Sequence, residues 1–141
     1  SEVDCLLLMD VLEHVLDPAD VLNQISRYLK KGGYVIMSVP TPLYPRVFGW
    51  RFHNEIGHLV QGYWLDELQQ ILPEEFSLVT HQYHTGPLVW PACFLYYRYF
   101  RNIQNWPIRF AMETIVNPFR WLDLIKGKNM AASLFAIYQK Q

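Results

Sequence analysis

Three residues near the start of the chain carry side chains that do chemistry: Asp10, Glu13 and His14. Spacings of three and four residues place them on one face if the segment turns helically. Two carboxylates and an imidazole, joined by a later histidine such as His58, could hold a divalent cation. A Mg²⁺ there would orient a hydroxyl and lower its pKa. The plainer alternative is that Glu13 and His14 only cap and orient a turn. His58 is also a candidate general base, since an imidazole titrates near neutral pH without much tuning. His53 competes for that role. His81 and His84 stand three apart on a strand pattern, face opposite sides, and read as structural.

The elements that must position these groups follow from the apolar pattern. Val3–Met9 is a short, nearly continuous apolar run of the kind found in buried parallel strands. Pro18 to Lys31 reads as a helix. Asp17 is its N-cap, Pro18 its first residue, and Val21, Leu22, Ile25 and Leu29 its buried stripe. Lys30 and Lys31 suit the helix C-terminal end, and Gly32-Gly33 the stop after it. Tyr34–Val39 reads as a second buried strand, ended by Pro40-Thr41-Pro42. Strand, acidic turn, helix, Gly-Gly turn and strand make one right-handed parallel crossover unit. Residues 41–62 read as a long irregular loop. Tyr63–Leu72 reads as a helix, Phe76–Tyr83 as a third strand, and Met130–Tyr138 as a last one. Residues 88–125 are helical in pattern, broken at Pro91, Pro107 and Pro118.

With 141 residues, half of them hydrophobic, the chain suits one domain with a real core. Cys5 and Cys93 lie in apolar runs, which points to reduced, buried thiols in a cytoplasmic setting. Pro87–Tyr97 is too short to span a membrane. Residues 1–87 hold eleven acids and five bases, whereas 88–141 hold two acids and seven bases. That asymmetry gives either two solvated faces or a basic half that meets an anionic surface. Ten aromatics fall within 88–125, interleaved with Arg98, Arg101, Arg109 and Arg120. They suit a core or dimer interface, a hydrophobic acceptor pocket, or a membrane-peripheral surface. The modest charge argues against nucleic acid.

The run Val3–Val15, with Asp10-Val11-Leu12-Glu13-His14-Val15, resembles the fourth strand and following turn of class I S-adenosylmethionine-dependent methyltransferases. Leu29-Lys30-Lys31-Gly32-Gly33-Tyr34 resembles the turn into their fifth strand. His58, the helix from Tyr63, and Glu75-Phe76-Ser77-Leu78-Val79 are similar to later family elements, with Glu75 in place of a usual glycine. The chain resembles the type 11 and type 12 methyltransferases and the quinone-biosynthesis O-methyltransferase-like groups. The resemblance implies an α/β, partial Rossmann-like methyltransferase fold made of its last four strands, the final one antiparallel. It implies a single methyltransferase-like domain over 1–141 without the cofactor-binding N-terminal half, and an aromatic helical cap over 88–125.

Further expectations follow from the resemblance. Met9, Asp10 and Val11 would line the S-adenosylmethionine pocket. His58, His14 and Glu13 would be catalytic, and Tyr44, Trp50 and Trp90 would bind the acceptor. Asp10, Glu13, His14 and His58 are the positions at which some relatives hold a metal, which here would be Mg²⁺. The implied reaction is methyl transfer to a small or lipid-like acceptor, with oxygen as the expected acceptor atom. The competing expectation is a truncated, non-catalytic module acting through dimerisation, a partner or a membrane. No G-x-G-x-x-G-like string occurs in the chain. The family's close backbone approach to the cofactor needs such a turn, so the chain is expected to be a fragment, not competent alone.

Overall fold

The computed structural model describes residues 2–95, 106–108, 110, 111, 114 and 130–141. Most of the expected aromatic cap over 88–125, and the side chain of Cys93, lie outside them. Four strands form one mixed sheet in the order β1-β2-β4-β3: β1 Val3–Met9, β2 Leu29–Pro40, β3 Phe76–His84 and β4 Ser133–Lys140. β1 and β2 run parallel, with Leu6 opposite Val35 and Leu8 opposite Met37. β4 inserts antiparallel between β2 and β3. It turns Leu134, Ala136 and Tyr138 inward, each 1% exposed or less, as the two-residue period of a strand dictates. The expected partial Rossmann-like sheet with an antiparallel last strand is therefore present.

Helix α1, Pro18–Tyr28, joins the parallel strands. The Asp17 carboxylate accepts from Asp20 N at 2.9 Å, supplying the acceptor that a first-turn N–H lacks within the helix, and Pro18 opens the turn with no N–H to satisfy. The helix stops three residues before the expected Lys31. Leu29 is fully buried and paired with Val3 in the sheet, so burial there prevails over one more helical turn. Besides Arg27 in the last turn, Lys140 serves the helix end: its Nζ donates to the carbonyls of Ser26 and Leu29 at 2.7 and 3.0 Å. Lys30 instead pairs with Asp4 at 2.7 Å. Gly32, at φ +78°, turns the chain back into register at Tyr34.

Residues 41–62 are more ordered than a loop. They hold α2, Tyr44–Phe48, and α3, Trp50–Glu55. Thr41 anchors them: its N–H donates to Ala132 O at 2.9 Å and its hydroxyl to Ala131 O at 2.6 Å. A second small core of Val47, Phe48, Val89 and Ala132 ties α2 to α5, Trp90–Leu95. The main core lies between the sheet, α1 and α4, Leu65–Ile71.

β1 departs most from expectation. Leu7 and Met9 are 61% and 53% exposed, and Cys5 is an exposed thiol. The apolar run suits a strand covered on both faces, but the described residues supply a partner on one edge only and leave much of its surface open. None of the helices among the described residues is long and apolar enough to cross a membrane.

Candidate active site

β1 and β2 end at the same edge of the sheet, where open α/β sheets receive ligands. The chain leaves β1 through Asp10, which takes φ +52°, a region that Asp tolerates better than most residues. Asp10 N donates to Ser38 O at 2.9 Å, and Ser38 Oγ donates to the Asp10 carboxylate at 3.0 Å. This sharp turn leaves Met9 and Val11 exposed beside it. A single 3₁₀ turn, Leu12–His14, follows. Leu12 plugs into the core, which drags Glu13 inward and leaves His14 at the rim.

The segment after α3 closes over this turn. Leu59 N donates to Glu13 O at 2.8 Å, and the Tyr63 hydroxyl donates to Leu12 O at 3.2 Å. Gly62 makes the closure possible: a Cβ there would stand 2.3 Å from Pro40 O. Tyr63 N also donates to Pro40 O, at 2.8 Å.

Three side chains converge as a result. Glu13 Oε1 lies 3.8 Å from His58 Nε2 and 4.0 Å from His14 Nε2. One donor atom from each of the three lies within 4.8 Å of the others. The Glu13 and His58 side chains are 1% and 4% exposed, whereas His14 is 38% exposed. Neither Glu13 carboxylate oxygen has a hydrogen-bond partner among the described residues. Burial pushes the carboxyl up to about 7 against the pull of Glu13's own backbone N–H, with Asp10 adding to the shift and His14 opposing it. Burial, with the neighbouring His53 and His14, lowers His58 to about 4. That corrects the expectation of an untuned imidazole: His58 is neutral at working pH but a weak proton acceptor.

His53 was the weaker candidate in the sequence, yet it is built into the site. Its Nδ1 meets His58 Nδ1 at 3.1 Å, with the rings perpendicular. A spacing of five residues across α3 and Gly57 gives this pairing, and only the helical order of that segment would have flagged it. Tyr44 stands beside His58 with ring centroids 5.2 Å apart. Trp50 meets His53 edge-on at 5.7 Å. Trp90 packs into the second core, its indole N–H donating to Thr85 O at 2.8 Å. His81 stays outside the cluster, edge-on to Tyr83.

Asp10 is not among the converging donors. Without it, the set is one carboxylate and two imidazoles. Mg²⁺ prefers oxygen ligands at about 2.0–2.1 Å in a near-ideal octahedron, so these residues do not fit the expected Mg²⁺.

A methyltransferase-domain family model matches residues 1–124. A search of curated proteins gives no match. Among solved structures, a putative methyltransferase from Bacillus halodurans aligns at 13% identity with TM-score 0.56, covering 99% of this chain and 64% of that one. Coclaurine N-methyltransferase, bound to N-methylheliamine and SAH, aligns at 14% identity with TM-score 0.52, covering 99% and 48%. The [4+2]-cyclase SpnF aligns at 14% identity and TM-score 0.52, covering 99% and 50%. The chain thus spans about half to two thirds of the length of these structures. At such identities they show the fold, and the cyclase is a reminder that this fold serves more than one reaction. The family match over most of the chain, on a sheet whose strand order and turns agree with it, identifies the chain as a member of the class I S-adenosylmethionine-dependent methyltransferases.

Proposed function

We propose that the chain is the C-terminal part of an enzyme that moves a methyl group from S-adenosylmethionine to a hydroxyl oxygen of a small or lipid-like acceptor. The observation that carries this reading is the convergence of Glu13, His14 and His58 at the carboxyl edge of β1 and β2. The cofactor, when bound, supplies an activated methyl sulfonium, so the protein's task is positioning and proton removal. His14 is the imidazole with an open face, and it takes the hydroxyl proton. Its Nδ1 donates to Gly57 O at 3.1 Å, which leaves Nε2 free to accept. Glu13 and His58 form the buried wall behind it.

Met9 and Val11, exposed on either side of the Asp10 turn, suit a flat, partly apolar ligand. They would hold the cofactor from this side, and the glycine-rich cradle would come from a segment preceding the chain. Tyr44 and Trp50 flank the histidines and would bound the acceptor. Trp90 would act from the second core. No step is routed through a metal. The setting is cytoplasmic, with peripheral contact to a membrane where the acceptor is a lipid.

Calorimetry with S-adenosylhomocysteine tests the reading. The protein that carries this chain together with a preceding cofactor-binding segment is expected to bind it, and methyl transfer is expected to follow. Absence of binding by that folded protein would sink the enzymatic reading. One observation favours a second reading, a non-catalytic module that pairs with another copy: the apolar, exposed β1 at the sheet edge. Sedimentation of the 141-residue chain separates them, since stable dimers without cofactor binding would favour the module.

A further inference from the structure

One hydrogen-bond role in the histidine cluster, that of His14, is fixed from outside it. The Gly57 carbonyl only accepts, so His14 Nδ1 carries a hydrogen and, in the neutral ring, Nε2 is bare. That bare nitrogen faces Glu13 Oε1 across 4.0 Å. His58 Nε2 faces the same oxygen across 3.8 Å, while its Nδ1 is engaged by His53. Both gaps exceed a direct hydrogen bond. Burying polar atoms that face one another without a donor between them costs about 1–3 kcal/mol each. Glu13 is almost wholly buried and has no partner beyond its own residue among the described ones, so the geometry calls for an occupant.

The separations say which kind. Two ligands bound to a tetrahedral metal at about 2.0–2.1 Å stand about 3.3 Å apart, and in an octahedron about 2.9 Å. Two groups hydrogen-bonded to one oxygen at about 2.7–2.8 Å stand about 3.8–4.6 Å apart. The observed 3.8 and 4.0 Å fall in the second range.

We propose that Glu13, His14 and His58 form a receptor for a single hydroxyl oxygen, held by a water in the resting protein and by the acceptor's hydroxyl in the working one, with His53 as the positioning residue that turns His58 Nε2 into it. The second half rests on the methyl-transfer reading above. In that state the acceptor's O–H points to His14 Nε2. Its proton passes to that nitrogen while an oxygen lone pair forms the bond to the methyl carbon. The carbon–sulfur bond breaks with its electron pair left on sulfur, giving a neutral thioether, an ether and a protonated His14. The receptor therefore selects alcohols and phenols over their methyl ethers, since an ether has no hydrogen to give to a bare nitrogen.

A high-resolution crystal structure of the chain soaked in manganese chloride tests the first half. The expected result is a light-atom peak within hydrogen-bond distance of Glu13 Oε1, His14 Nε2 and His58 Nε2, with no anomalous signal. An anomalous manganese peak there, or Glu13 paired directly with His58 and no peak between them, would overturn it. Histidine ¹⁵N spectra test the rest on the same chain. Phenol is expected to shift the His14 Nε2 signal and anisole to leave it; equal responses would overturn the selection for hydroxyl. His53→Asn should keep one His58 tautomer, and His53→Leu should give a mixture, each variant first checked for folding by circular dichroism. Unchanged His58 signals in a folded His53→Leu protein would remove His53 from the positioning role. None of these readouts uses the cofactor, so failure here is distinct from failure of methyl transfer.

Discussion

Glu13 is a carboxyl held under electrostatic tension by its burial. Its carboxyl is raised from an ordinary 4.5 to about 7 by burial, so the fold holds a proton that the unfolded chain would already have released. The stability from this group is complete below pH 4.5 and is lost as pH rises through 7, about 3 kcal/mol in all. His58 works the other way. Lowered from 6.5 to about 4, it gives stability that is present above 6.5 and lost as pH falls through 4. The two slopes oppose between these limits. Glu13→Gln, which mimics the neutral carboxyl, should equal the wild type in stability near pH 4 and exceed it increasingly to pH 8. Urea unfolding at several pH values checks this, and a constant difference would contradict it. At this scale the sequence was legible in residue type more than in spacing: Glu13 and His14 do meet the later histidine His58. Asp10 was misplaced with them because its φ of +52° breaks the helical spacing on which the grouping relied. An Asp in that conformation leaves no mark in the sequence.

Elements decide how these side chains come together. The segment from Gly57 to Tyr63 must pass against the end of β2, and Gly62 lets it do so at φ +129° with no room for a Cβ beside Pro40 O. Gly62→Ala should therefore cost about 2–3 kcal/mol and loosen the Tyr63 contacts to Pro40 and Leu12. Gly57→Ala meets only its own positive φ in open space and should cost about 1 kcal/mol. Thermal unfolding of the pair tests this, and equal losses would refute the close-approach argument. α1 was legible because Asp17, Pro18 and the apolar stripe agree. Its C-terminal end was not, because burial of Leu29 and the reach of Lys140 from β4 are tertiary facts. The short helices α2 and α3 were hidden among prolines and glycines that mark a loop. Their order comes from Thr41 and the second core.

At the scale of the whole molecule, the sheet is the half of a methyltransferase sheet that ends in the antiparallel strand. The sequence made that half legible through two turns, the one at Glu13-His14 and the one at Gly32-Gly33. It misjudged β1 as buried because an apolar run records the surroundings a strand is suited to, and those surroundings are not complete among the described residues. Cys5 reports on this directly. In the 141-residue chain the exposed thiol should react with an aromatic disulfide reagent without denaturant. With a preceding cofactor-binding segment joined, the rate should fall by at least tenfold. The same joined protein permits the most direct test of the central claim: transfer of a radiolabelled methyl group from S-adenosylmethionine to an alcohol or phenol, with wild type beside His14→Gln. The account predicts label on oxygen and a loss of about 10²–10⁴-fold in kcat for the variant. Label on nitrogen or carbon, or an unchanged kcat in His14→Gln, would contradict it.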